Sequence, residues 1–224
     1  GEREPQVDKT QDNVAGYIDF RQNISDWLTF DVGVRVDNHS HVGTEWIPQV
    51  GLSFRLPWDS EIKLMASKGF RYPTIRELYM FRNADLNPEK LWSYELSYSQ
   101  RLLQGRLSYG VNAFYIDGKD LIMRVPVDGR QMNVNTGKVE NAGVEAQVAY
   151  RLASAWSLDA NYSYLHMDNP VLASPEHKLY AGAAFSKGRW YVSTGCQYVA
   201  GLYTEVKVAG QGDYATEDFV LWNL

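Results

Sequence analysis

Four histidines are the residues of this chain with the most obvious ligand chemistry. His39 and His41 stand at i, i+2 in one polar stretch, and His166, followed by Met167, and His177 lie on or beside another. Imidazoles at loop tips can bind a metal complex or a haem. The same spacing suits ordinary solvated loop histidines, and one spacing alone assigns no metal site. Tyr72, Tyr79, Phe81 and Arg82 form a second group. Aromatic rings around a guanidinium are the composition that grips planar or anionic ligands. The plain alternative is a long loop packing over whatever it covers.

Bond-making chemistry finds no support. In "NTGKV" (135–139) the Gly-Lys pair mimics a phosphate-binding loop, but Met132 stands where its first glycine belongs and Val139 where its Ser or Thr belongs. No G-x-S-x-G, H-E-x-x-H or C-x-x-C occurs. Glu145 and Asp159 could pair for acid–base work, yet alternating strands generate such acids automatically. The single cysteine, Cys196, falls between Thr194 and Tyr198 on an apolar stripe, where a thiol acts as a small hydrophobe. One cysteine also excludes an internal disulfide framework and a cysteine zinc site.

The elements that must position these residues are strands. In "WLTFDVGVRVD" the even positions are Leu28, Phe30, Val32, Val34 and Val36, against Thr29, Asp31, Gly33, Arg35 and Asp37. "LWSYELSYS" sets Trp92, Tyr94, Leu96 and Tyr98 against Ser93, Glu95, Ser97 and Ser99, and "AWSLDANYSYLH" repeats the device. A period of two is the β repeat, and no segment carries the i, i+3, i+4, i+7 pattern of a helix. The alternation predicts strands over 12–22, 27–37, 44–56, 60–68, 91–101, 105–125, 130–151, 155–166, 176–186, 189–201 and 217–224. A bulge or bend is expected at Asp117-Gly118, and one helical turn at "TIREL" after Pro73. Many strands exceed the soluble norm of about 5–6 residues and match the tilted strand that crosses a bilayer.

Connections alternate in length. "QNIS", "PWDS", "LLQG", "LASA" and "SKG" are short, whereas 38–43, 69–90, 126–129, 167–175 and 202–216 are longer. In an up-and-down sheet every second turn shares a rim, so one rim is trimmed and the other decorated, as in outer-membrane barrels. Trp27, Trp46, Trp58, Trp92, Trp156 and Trp190 gather near strand ends, where an amphipathic ring suits the headgroup layer. The 224 residues contain 13% aromatics, yet mean hydropathy is negative, as half-wet strands require. No apolar run approaches the roughly 18 residues of a transmembrane helix. A net charge of −5 without a basic patch argues against nucleic acid as partner. A soluble β-sandwich or lipocalin-like barrel explains alternation equally well, but not strand length, tryptophan placement or the two unequal rims.

"SKGFRYPTIRELY" (67–79), "NPEKLWSYE" (87–95), "VNAFYIDGKDLI" (111–122) and "NTGKVENAGVEAQVAY" (135–150, with Gly143-Val144-Glu145) occur in an order that resembles the barrel of TonB-dependent outer-membrane receptors. Upstream, "GVRVDNHSHVGTEWIPQVGLSFRL" resembles the strand–loop–strand before their GFR segment. The resemblance implies an all-β, antiparallel up-and-down transmembrane β-barrel in a Gram-negative outer membrane. It implies part of a barrel of about 22 strands, without the plug domain and the last strands. Gly1 with no preceding Met fits a piece of a larger protein. The family implies uptake of a ferric siderophore, haem or cobalamin, energised through TonB–ExbB–ExbD, with outer-membrane lipid around the wall and no enzymatic step or resident cofactor. A plugless outer-membrane channel or adhesin is the rival within membranes, a soluble ligand-binding β-barrel the rival outside them.

Within that resemblance Arg71 faces the lumen, where it can pair with Glu77, Glu89 or Glu95. Arg71, Glu77 and Glu95 are then candidates for plug contact, or for a structural ion pair that holds strands together. Tyr72, Tyr79, Phe81, Arg82, His39, His41, His166 and Met167 are candidates for the substrate-facing loops.

Overall fold

Period-two patterning resolves into one sheet. The computed structural model describes residues 10–79, 83–127, 129–152, 154–170, 173–205 and 215–224. The strands are β1 (Asn13–Asn23), β2 (Leu28–His39), β3 (Gly43–Leu56), β4 (Ser60–Arg71), β5 (Glu89–Leu102), β6 (Leu107–Val127), β7 (Arg130–Arg151), β8 (Trp156–Met167), β9 (Pro175–Lys187), β10 (Trp190–Glu205) and β11 (Ala215–Asn223). They pair antiparallel in chain order, β1 to β11, and no β1–β11 pair closes the sheet among the described residues. Every strand expected from alternation is present. The largest differences are at β4 and β10, which run on to Arg71 and Glu205.

Register turns alternation into rows. Phe30, Leu52, Leu64, Leu96, Ala113, Val144 and Tyr164 are consecutive cross-strand partners from β2 to β8. One step along each strand, Thr29, Ser53, Lys63, Ser97, Asn112, Glu145 and Ser163 form the neighbouring row. One face is thus apolar and the other polar, and a one-residue slip would exchange them. The polar face is the concave one. Hollows of about 790 and 550 Å³ lie over it, lined by side chains such as Glu61, Gln147, Asn161 and Glu145. Among the described residues no second layer covers the apolar face: Leu64, Leu96, Val111, Val144 and Leu179 each remain about 40–50% exposed. That is the arrangement of a wall between hydrocarbon and a wet bore.

The trimmed rim is made by tight turns. Trp58 and Asp59 both take positive φ (60° and 55°), and the pair Gly188-Arg189 alone joins Lys187 to its partner Trp190. Trp27, Trp58, Trp156 and Trp190 stand exposed beside these turns, and Trp46 toward the opposite rim. Gly143 answers a packing need on the inner wall. The Phe114 ring lies across it, and a Cβ there would come 2.6 Å from the Tyr164 carbonyl oxygen.

Two expectations change. The irregularity of β6 falls between Gly118 and Ile122 rather than at Asp117-Gly118, with Asp120 at φ 59°. Aspartate tolerates the left-handed region by bonding locally, so glycine was not needed there. The connection at 126–129 is no long loop. Val127 pairs directly with Arg130, and the length lies in β6 and β7, which extend as a two-stranded ribbon.

Charge placed on the two faces should separate them. Leu96→Arg is expected to cost about 2–4 kcal/mol of stability in lipid, and Ser97→Arg less than about 1 kcal/mol. Denaturant unfolding of the vesicle-inserted full-length protein measures both; equal costs would contradict the assignment of faces.

Candidate functional site

The decorated rim is organised around Arg71, the last residue of β4. Pro73 and Thr74 then start α1 (Ile75–Tyr79) by a capping box. The Glu77 amide donates to Thr74 Oγ1 (3.2 Å), while the Thr74 amide (2.8 Å) and hydroxyl (2.9 Å) donate to Glu77 Oε2. This cap aims Glu77 back at Arg71. Arg71 Nη1 and Nη2 donate to Glu77 at 2.9 and 3.0 Å, and Nε and Nη2 to Glu89 at 2.5 and 2.8 Å. One planar fork thereby holds two carboxylates, each bidentate. Burial raises the Glu77 carboxyl, but Arg71 and the two Thr74 donors outweigh it and hold Glu77 below the usual carboxylate range. Glu95 is not part of this group. It lies six residues down β5 from Glu89, about 20 Å along the strand, where Ser93 Oγ donates to it at 3.4 Å.

Beside the fork, β2 and the loop after β4 meet. His39 is buried and stacks on Tyr72, centroids 4.3 Å apart, and Phe70 meets the same ring edge-on at 4.7 Å. The His41 amide donates to His39 Nδ1 (3.2 Å), which puts the His39 proton on Nε2. The His41 ring bonds through Nε2 to the Ala84 carbonyl (2.8 Å) and faces Tyr79 at 6.1 Å. The Tyr72 hydroxyl is buried and makes no hydrogen bond among the described residues. Burial first, then the charges of Asp37 and Glu45, push its phenol up. The β3–β4 ladder stops at Gln49–Ser67, next to Pro48, which has no N–H to give. Lys68 spans the opening, donating to the Trp46 carbonyl (3.0 Å) and to Glu45 (2.9 Å), and Lys90 also pairs with Glu45 (3.0 Å).

In the described parts of the loop over 72–88, residues 72–79 and 83–88, Pro73, Leu78 and Leu86 are fully buried. Two asparagines of β7 fasten it. Asn133 Nδ2 donates to the Glu77 carbonyl (3.0 Å), and Asn83 Nδ2 donates to the Asn133 carbonyl (2.8 Å). Asn135 Oδ1 accepts the Asn87 amide (2.8 Å), while its Nδ2 donates to the carbonyls of Asn87 (2.9 Å) and Asp120 (2.7 Å). Neither residue stands out in the sequence by charge or motif. The available signal was the "NVN" of 133–135, which puts two amides on one side of a strand.

His39, His41, Tyr72 and Tyr79 are therefore brought together with Arg71 and Glu77. His166 and Met167 are elsewhere, at the end of β8. They point to opposite faces: His166 pairs with Ala142 and sits 3.4 Å from Asp168, whereas buried Met167 pairs with Asn141. His177 lies on the apolar face, 2.8 Å from the Tyr162 hydroxyl. Phe81 and Arg82 lie outside the described residues. Among the described residues no group of three or more His, Cys, Asp or Glu is placed to hold a metal.

Comparison with known proteins bears on the fold and the family. The family described as "TonB dependent receptor-like, beta-barrel" matches residues 3–224. The vitamin B12 transporter BtuB of Photobacterium profundum is 27% identical over 162 residues, which is 69% of this chain and 26% of that protein. The iron-regulated outer membrane virulence protein of Vibrio cholerae is 24% identical over 264 residues, 98% of this chain and 40% of that protein. The chain thus spans well under half the length of these curated relatives. The siderophore receptor PirA from Acinetobacter baumannii superposes with a TM-score of 0.79 at 15% identity, over 95% of this chain and 38% of that one. A ferric enterobactin receptor from Pseudomonas aeruginosa gives 0.80 at 16% identity, over 94% and 36%.

The fork has a pH signature. A carboxyl held low contributes its stabilisation fully above its unfolded value, here 4.5, and loses it as pH falls through the folded value. Hydrogen exchange over 74–79 should be flat from neutral pH to about 5 after correction for intrinsic rates, and rise below about 4.5. Arg71→Ala should raise that exchange at neutral pH, by about 1 kcal/mol given the partial exposure of the pair. An unchanged profile in the variant would contradict the fork's role.

Proposed function

The chain belongs to the TonB dependent receptor-like β-barrel family, and on that basis we propose that it forms wall and rim of an outer-membrane receptor that takes up a scarce, bulky nutrient with TonB-coupled energy. The nutrient is a ferric siderophore, haem or cobalamin. The chain's similarity to a vitamin B12 transporter and to siderophore receptors supports this class. No bond of the nutrient is broken; the chain recognises, encloses and passes it.

The observation that carries the reading is the rim cluster. Tyr72 and Tyr79 belong to a loop that is capped, cored and tied to β7, and His39, the last residue of β2, and His41 beyond it pack against that loop. Such a surface meets a large ligand with little ordering left to do. Below it the concave wall is lined with polar side chains and roomy, as passage of a hydrated cargo around a plug requires. Of the three residues considered for plug contact, Arg71 and Glu77 are engaged within this chain. Glu95 keeps its carboxylate on the concave face with only a long contact from Ser93, so Glu95 is the residue proposed to meet the plug. The plug in turn connects the receptor to TonB–ExbB–ExbD.

Uptake tests this directly. Cells lacking the gene and complemented with the full-length receptor should accumulate labelled cyanocobalamin, haemin or a ferric catecholate, and lose that uptake when TonB is absent. Tyr72→Ala with His39→Ala should raise the half-saturating concentration about tenfold, roughly 1.4 kcal/mol. Uptake of none of the probes, or uptake indifferent to TonB, would overturn the proposal.

A further inference from the structure

We infer that Asn133 and Asn135 are positioning residues of the ligand-capture surface: the β6–β7 ribbon is a post to which the loop over 72–88 is tied, so that the rim is preformed before a ligand arrives. The inference rests on the transport reading above for its functional consequence, and on geometry alone for the tie.

The ribbon is longer than a membrane crossing needs. β6 and β7 have 21 and 22 residues, against 12 for β2, β4 and β8. The excess begins at the irregularity between Gly118 and Ile122, and Asn135 is the partner of Ile122. Asn133 and Asn135 therefore stand on the part of β7 that projects past the wall. There they do for the loop what a neighbouring strand would do. The side-chain amide of Asn135 makes a reciprocal pair with the backbone of Asn87, accepting its N–H and donating to its C=O. Asn133 takes the carbonyl of Glu77 and offers its own carbonyl to Asn83. Outside α1 the loop has backbone groups that no strand or helix satisfies, and these contacts serve the carbonyl of Glu77 and both backbone groups of Asn87.

Placement adds to the case. Asn133 is 4% exposed, so its amide is committed to the loop rather than to water. The third bond of Asn135 goes to the carbonyl of Asp120, the residue at positive φ in the irregular stretch. The Ile122 amide two residues on donates to Glu89 Oε1 (2.8 Å), the same carboxylate that Arg71 holds. Ribbon, loop and fork form one connected network, and the His39–Tyr72 stack and the His41–Ala84 bond join its opposite side to β2. Neither asparagine belongs to the cluster proposed to touch the ligand. Their effect passes through the position of the loop.

Two readouts on the full-length receptor in outer-membrane vesicles test this. Hydrogen exchange of residues 83–88 without ligand reports the tie. Uptake of cyanocobalamin and of a ferric catecholate reports its consequence. N133A combined with N135A should raise exchange over 83–88 about tenfold or more, leave exchange in β4 and β5 unchanged, and raise the half-saturating concentration about tenfold at an unaltered maximal rate. N135D, which keeps the acceptor for the Asn87 amide, should show a smaller effect than N135A. Unchanged exchange over 83–88 would overturn the inference whatever the uptake. Raised exchange with an unchanged half-saturating concentration would overturn the positioning role. If the wild-type receptor takes up neither probe, the transport reading fails, while exchange still decides whether the tie exists.

Discussion

A backbone amide in hydrocarbon has no water to bond, and this deprivation governs the structure. Each strand must find its partners in its neighbours, so the chain runs as one meander with every strand beside the next in sequence. Once that ladder is fixed, the period of two decides which side chains meet lipid and which meet the bore. The rows through Leu64 and Leu96 on one face and Lys63 and Ser97 on the other follow from it. Among the described residues such a wall buries few side chains, Asp37 on β2 and Val199 on β10 among them, and the fully buried Pro73, Leu78 and Leu86 lie in the rim loop.

Where the ladder fails, side chains replace it. At Pro48 the β3–β4 pairing ends, and the Lys68 ammonium takes the Trp46 carbonyl. At the irregularity of β6 the Asn135 amide takes the Asp120 carbonyl. In the rim loop Thr74 and Glu77 cap each other and Asn133 and Asn135 replace a strand. The same requirement that builds the wall therefore also builds the surface proposed to hold the ligand. Arg71 joins the two, because its fork ties the end of β4 to α1 of the loop and to the start of β5.

The wall was legible in the sequence because its signal is repeated many times and each repeat is local. Trp92, Tyr94, Leu96 and Tyr98 against Ser93, Glu95, Ser97 and Ser99 is enough to place β5 and both of its faces. The rim was legible only in composition. His39, His41, Tyr72 and Tyr79 do converge, although nothing in their spacing says that a β2 residue stacks on the residue after β4. His166 and His177 drew attention for being histidines, but strand parity sends both to the apolar face. Glu95 shares the concave face with Arg71, yet Glu89 is the carboxylate within reach, because distance along a strand matters as much as parity. Asn133 and Asn135 carry no charge and belong to no motif, so their sequence leaves their role unmarked.

The most direct measurement is a cysteine scan along β5 in the full-length receptor with Cys196→Ser as background, each site carrying a spin label in outer-membrane vesicles. Labels at 94, 96 and 98 should be relaxed by oxygen dissolved in lipid, and labels at 93, 97 and 99 by a water-soluble nickel chelate, in alternation. Absence of that alternation, or protection of both sets from both agents, would contradict a wall with lipid on one side and water on the other.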